Sequence, residues 1–189
     1  MTRTEKEIFT AHMADIFAPP GEALLADLKR EASGSPEEEE ISLSALRRDY
    51  DRLFVNIGGE KLSLVESTYK PWTADPNCSL GFSREKGLLL GDCALHIRDI
   101  FQALNLSVPP DFQGTPDHLV LELELLSYLY RSAAEEQVRN FISDHLDWVA
   151  SLRDEIRKKD AGFYSRAAER LLDFLNRELH PAGGKPHES

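Results

Sequence analysis

An all-α protein is predicted: a single-domain helical bundle of six to eight or more helices. No segment alternates apolar and polar residues over strand length, while apolar residues recur at helical spacing in one stretch after another. At 189 residues, 41% apolar and 29% charged, the chain can bury a substantial single core without dividing into domains. The domain is expected to span residues 1–180, with 181–189 a flexible C-terminal tail.

Two helices come first. Ile8, Phe9, His12, Met13, Ile16 and Phe17 have helical spacing, Pro19-Pro20-Gly21 ends that run, and Leu24, Leu25 and Leu28 begin another. Ser33 to Glu40 combines turn formers with a run of glutamates and reads as a solvated loop. From Ser42 a third helix places Leu43, Leu46, Tyr50, Leu53 and Phe54 on one face. The glycines and prolines between Val55 and Pro76 predict a long ordered loop, a setting that is often functional. A fourth helix is expected over Arg84 to Leu104. One long amphipathic run follows from Val138 to Ile156, and a last helix from Phe163 to Leu175.

Between these lies the stretch around which the chain is organised. Thr115 and Pro116 suit the start of a helix running to about Arg131, with Leu119, Leu123, Leu126 and Tyr130 as its buried stripe. That register puts Asp117 and His118 in the first turn and Glu122 one turn below His118. The expected result is two carboxylates and an imidazole converging at a helix mouth.

Charge and motifs exclude several functions. A net charge of −11 argues against general nucleic-acid binding and against an anionic membrane surface, and is compatible with a basic peptide. Cys78 and Cys93 lack zinc-site spacing and are expected to be reduced thiols. The N-terminal residues have no signal-peptide core and no apolar run approaches a membrane span, so a cytoplasmic protein with no stable membrane insertion is expected. Phosphate loops, HExxH, ExxH and GxSxG are absent. No cofactor and no metal are expected, because His96, His118 and His145 lack carboxylate co-ligands in sequence. Asp117, His118 and Glu122 could in principle do acid–base work, which keeps a helical nucleotide-processing or hydrolytic enzyme as the alternative. Taken alone, these three residues favour a polar cluster that merely packs and caps a helix start. Tyr69 and Trp72 fall outside any helical stripe and could line an apolar groove for a peptide.

Five segments, in order, resemble one family. Phe17-Ala-Pro-Pro-Gly-Glu-Ala-Leu-Leu is similar to its early LF..PP..E.L signature, and Tyr50-Asp-Arg-Leu-Phe-Val to its Y..LFxG segment, with Asn56 where glycine is usual. Val65-Glu66-Ser67-Thr68-Tyr69 resembles its P.ES.Y loop, with Leu64 and Val65 where prolines often stand. Pro116-Asp117-His118 with Glu122-Leu123 resembles its PDH…EL motif. Phe141 to Trp148 and Phe163 to Leu175 resemble its C-terminal F...HL.W and FY...L..FL pattern. This is the TorD/DmsD/NarJ family of redox-enzyme maturation chaperones.

The resemblance implies a TorD-like helical chaperone that is not an enzyme. Its expected partner is the catalytic subunit of a molybdopterin oxidoreductase, bound through its twin-arginine leader or as the apoenzyme, with export delayed until cofactor insertion. By the same resemblance Pro116, Asp117, His118 and Glu122 would belong to the leader-binding surface, with Tyr50, Glu66, Ser67 and Tyr69 bordering it. A homodimer is also allowed, with 105–115 as a candidate hinge.

Overall fold

A computed structural model describes residues 1–32, 42–55, 61–159 and 162–180. Eight α-helices make up the described residues: α1 (Arg3–Phe17), α2 (Glu22–Ala32), α3 (Leu43–Tyr50), α4 (Asp92–Ala103), α5 (Leu119–Ser132), α6 (Glu135–His145), α7 (Val149–Lys159) and α8 (Phe163–Leu179). The all-helical expectation holds; extended pairing among them is confined to two isolated bridges, Val65 with His118 and Pro71 with Lys86. The expected loop at Ser33–Glu40, the glycine pair at 58–59 and the tail at 181–189 lie outside the described residues.

Local chemistry sets the helix ends. Thr2 and Glu5 close α1 reciprocally: Thr2 Oγ1 accepts from Glu5 N, and Thr2 N donates to the Glu5 carboxylate. Ser42 Oγ accepts from Ala45 N to start α3. The third helix is shorter than expected, because after Tyr50 the chain widens into a π turn over Asp51–Val55 that still buries Leu53 and Phe54.

Helix α5 is the centre. The expected stripe of Leu119, Leu123, Leu126 and Tyr130 is buried, but so are Val120, Leu121, Leu125 and Leu129, so the helix is enclosed on nearly all sides. α1 lies along it and α6 packs beside it; α8 packs against α6 and α1, and α7 packs against α8. Phe17, Tyr50, Phe54 and Tyr164 form an aromatic cluster, with the Phe54 and Tyr164 rings edge to face at 5.3 Å.

Two expected helices are corrected. The fourth begins at Asp92 rather than Arg84, because residues 71–91 fold as successive turns: Trp72 N donates to Glu85 O, Thr73 N to Ser83 O and Asp92 N to Trp72 O. The carboxylate of Asp92 also accepts from Thr73 Oγ1 and Ala74 N. Leu95 is consequently exposed rather than part of a buried stripe. Gly91 makes this join possible, since a Cβ there would stand 2.4 Å from the Trp72 carbonyl oxygen. Gly91→Ala is expected to destabilise the fold by about 1–3 kcal/mol, as overpacking against backbone does, measured as a lower urea midpoint. The expected run from Val138 to Ile156 is two helices, broken at Leu146, Asp147 and Trp148. That break turns the Trp148 ring inward.

Candidate functional site

The site forms where the loop before α4 meets the entrance of α5. Glu66–Thr68 is a short 3-10 turn, and Val65 pairs antiparallel with His118. Leu119 N donates to Leu64 O at 2.8 Å and Glu66 N donates to Asp117 O at 2.9 Å. The two segments are thus zipped together by backbone.

This pairing corrects the expected helix mouth. α5 starts at Leu119, not near Pro116, and His118 is its N-cap, Nδ1 accepting from Val120 N at 3.2 Å. Asp117 precedes the helix, and its carboxylate turns inward to accept from Ser67 N at 2.8 Å and from Ser67 Oγ. Cys93 Sγ, from α4, lies 3.7 Å from the same oxygen. Asp117 and Glu122 are fully buried. Glu122 N donates to His118 O at 3.0 Å, but among the described residues no side-chain hydrogen bond joins the His118 ring to either carboxylate; the ring rests edge to face on Phe112 at 5.1 Å. The three residues therefore do not form a solvent-facing acid–base group.

A second set of groups, from α4, α6 and the α6–α7 break, completes the centre. Glu66, fully buried, has Oε1 2.6 Å from the Lys70 ammonium and Oε2 3.0 Å from His145 Nδ1. His145 Nε2 is 2.8 Å from Nδ1 of the exposed His96, so a line of hydrogen bonds runs from the surface to the buried carboxylate. Lys70 also pairs with Asp147 at 2.6 Å and donates to Asp144 O. Trp148 Nε1 faces both His145 O at 2.8 Å and Glu122 Oε2 at 3.2 Å. Its ring stacks on Tyr69 at 5.0 Å, and the Tyr69 hydroxyl lies 3.0 Å from both Ser63 O and Glu155 Oε2.

Of the eight residues implied by resemblance, the structure brings Glu66, Ser67, Asp117 and Glu122 into one buried centre and sets Tyr69 and His118, both half-buried, beside it. Pro116 is buried. Tyr50 belongs instead to the aromatic cluster with Phe54 and Tyr164. Tyr69 and Trp72, expected to line one groove, have different ring partners: Tyr69 stacks on Trp148, and Trp72 packs against Phe82 at 5.1 Å.

Three carboxylates buried beside one ammonium are costly unless some carry protons. Burial, then the negative charge of Glu66 and a hydrogen bond to it, hold the Glu122 proton on well above the ordinary carboxylate range. Burial, with Glu66 nearby, pushes the Cys93 thiol up to about 11, so it is a poor nucleophile at neutral pH. Burial alone would lower Lys70, but Glu66 and Asp147 outweigh it and keep the ammonium charged.

The fold also supplies what the sequence did not show for metal ligation. Donor atoms of Glu66, Glu122 and His145, and of Glu66, Cys93 and Asp117, lie within 4.8 Å of one another. Both oxygens of Glu66 are already engaged, by Lys70 and His145, so the ammonium supplies the cation here.

Burial lowers the His118 imidazole to about 4. An unfolded histidine takes its proton as pH falls past about 6.5, the native one only near 4, so this contribution is whole above 6.5 and is lost between 6.5 and 4. Glu122 acts with the opposite sign, since its raised value favours the fold at low pH and that contribution fades as pH rises past its unfolded value. His118→Asn keeps a good N-cap and removes the titration. The stability difference between wild type and His118→Asn is therefore expected to shift toward the variant, by up to about 3 kcal/mol, as urea midpoints are followed from pH 6.5 to 4.

Sequence reasoning did not find His145, His96 and Lys70 as members of the centre. His145, expected to lack a carboxylate partner, lies with Trp148 within the F...HL.W stretch, which was the available signal.

The described residues form an all-helical bundle whose buried polar centre ties a loop to the entrance of its innermost helix. The sequence matches the nitrate reductase delta subunit family over residues 15–179, and the chain belongs to that family. It is 31% identical over 109 residues to the chaperone protein TorD of Vibrio cholerae serotype O1 strain El Tor Inaba N16961, and 30% identical to TorD of the Classical Ogawa 395 strain. Each match covers 51% of this chain and 50% of the relative, so the chain spans about half the length of these curated relatives. In fold it resembles a crystal structure described as a redox enzyme maturation protein from Archaeoglobus fulgidus. That likeness has a TM-score of 0.58 and 20% identity, and covers 93% of this chain and 94% of the other.

Proposed function

We propose that this protein is a maturation chaperone for a redox enzyme, binding the catalytic subunit of a molybdopterin oxidoreductase through its twin-arginine leader and delaying its export until the cofactor is in place. The observation that carries this reading is the family match across residues 15–179, within which the Glu66–Tyr69 loop and the Pro116–His118 stretch form one seam. Among the described residues no helix is long and apolar enough to cross a membrane.

On this reading the work divides among the proposed residues. Glu66, Ser67, Asp117 and Glu122 hold the seam closed from inside, whereas His118 and Tyr69 border it and the side chain of Asp147 reaches solvent. A leader needs cation acceptors and an apolar seat. Asp147 and Glu155 are carboxylates at this border, Leu80, Phe82, Leu89 and Leu90 are exposed on the turns beyond Trp72, and Leu95 is exposed on α4. Arginine would pair with the former in bidentate fashion, and the leader's apolar stretch would cover the latter.

The test is co-purification of the protein with a full-length molybdoenzyme catalytic subunit from its own genome and with the same subunit lacking its leader. Capture of the full-length form alone is expected. Equal capture of both forms would move recognition from the leader to the body of the apoenzyme.

A further inference from the structure

A second site lies away from the acidic centre and shares no residue with it. A cavity of about 330 Å³ opens between the start of α1, the end of α5, the start of α6 and the end of α8. Arg3, Lys6, Arg139 and Arg177 line it against two carboxylates, Glu135 and Glu178, in a chain whose net charge is −11. The local sign is therefore opposite to that of the whole molecule.

The existing partners leave part of this charge unused. Lys6 is matched by Glu178 at 2.8 Å, and the Tyr130 hydroxyl donates to the same carboxylate oxygen. Arg3 is held by backbone carbonyls at the end of α5, those of Tyr130 and Ala133, which fixes its guanidinium at the wall. Arg139 has only a loose pairing, 3.7 Å from a Glu135 side chain that is 86% exposed. Arg177 donates through Nε to Asp173 O, so among the described residues its two terminal nitrogens have no acceptor. The N-cap of α6 is Ala134, which offers no side-chain oxygen to the first-turn N–H groups beside Arg139.

We infer that this cavity binds a small ligand carrying two or more oxyanion groups, phosphate or carboxylate, held between Arg139 and Arg177, with Arg3 behind them and Tyr130 and Val138 as the less polar wall. The planar fork of arginine matches the oxygens of either group in pairs, and a ligand spanning both forks gains a charge-assisted contact at each end. The volume is at the small end of ligand pockets, which fits a compact polyanion rather than a folded partner.

The experiment is calorimetric titration of the full chain, at fixed ionic strength, with inorganic pyrophosphate and, in a parallel arm, with citrate. Saturable one-to-one binding of at least one probe is expected, and the arm that binds more tightly identifies the oxyanion. Arg139→Gln and Arg177→Gln are each expected to weaken it about tenfold, as loss of a charged hydrogen bond does. Arg157→Gln removes the same charge elsewhere on the surface and should leave it unchanged. Unaltered circular dichroism in all three variants keeps folding out of the comparison. Absence of saturation with both probes, or equal weakening by Arg157→Gln, would overturn the assignment.

Discussion

Asp117→Ala should lower the stability of the protein by about 3 kcal/mol, seen as a reduced urea midpoint with an unchanged slope. The substitution leaves the Ser67 amide and hydroxyl, both inside, without the carboxylate oxygen they share, and each stranded donor costs about 1–3 kcal/mol. It also unties the turn that keeps Val65 paired with His118. Asp117→Asn retains an acceptor oxygen and is expected to recover part of the loss. A variant as stable as wild type would mean that the backbone pairing alone holds the seam, and the buried carboxylate would then need another reason to be there. Because Asp117 is inside, weaker leader binding by its alanine variant does not report contact; a half-buried residue at the rim, His118 or Tyr69, does.

Trp148→Ala should be at least as damaging, at about 3–5 kcal/mol, the usual range for emptying a buried tryptophan site. It removes the ring that stacks on Tyr69 and the donor that faces Glu122 and His145 O. Trp148→Phe separates the two effects, since it keeps a ring while stripping the N–H, and should cost about 1–2 kcal/mol. If both variants lost the same amount, the hydrogen bonds rather than the packing would dominate at this position. Chemical denaturation followed by far-ultraviolet circular dichroism suits the comparison, because the fluorescence signal itself changes when one of the two tryptophans is removed.

What was legible in the sequence was what repeats locally. The end of α1 and the start of α2 follow from the Pro19-Pro20-Gly21 stop, and α5 was recognisable from its stripe. Where long-range backbone pairing intervened, local reasoning failed. Pro116 suits a first helical turn, but the hydrogen bonds of residues 64–66 with 117–119 hold Asp117 in a turn and His118 in an extended conformation before the helix begins. Leu88 and Leu95 have helical spacing, yet the carbonyl of Trp72 reaches across to Asp92 N and delays the helix to Asp92. Of the candidate site, Glu66, Ser67, Asp117 and Glu122 lie together in the structure, but their burial was not legible in the sequence. Nothing in the spacing of a single chain says that a carboxylate at 66 and a histidine at 145 meet, because that contact depends on how the α6–α7 break is turned.

On the proposed function, the seam between the 62–70 loop and the entrance of α5 recognises a twin-arginine leader. The most direct test of this is calorimetric titration of the protein with leader peptides from its own genome's molybdoenzymes, beside twin-lysine versions of each and with the Tyr69→Ala and His118→Ala variants. One leader should bind saturably, its twin-lysine form should bind more weakly, and both rim variants should lose affinity while keeping their helical content. A leader that binds equally well to wild type and to both variants would contradict the account.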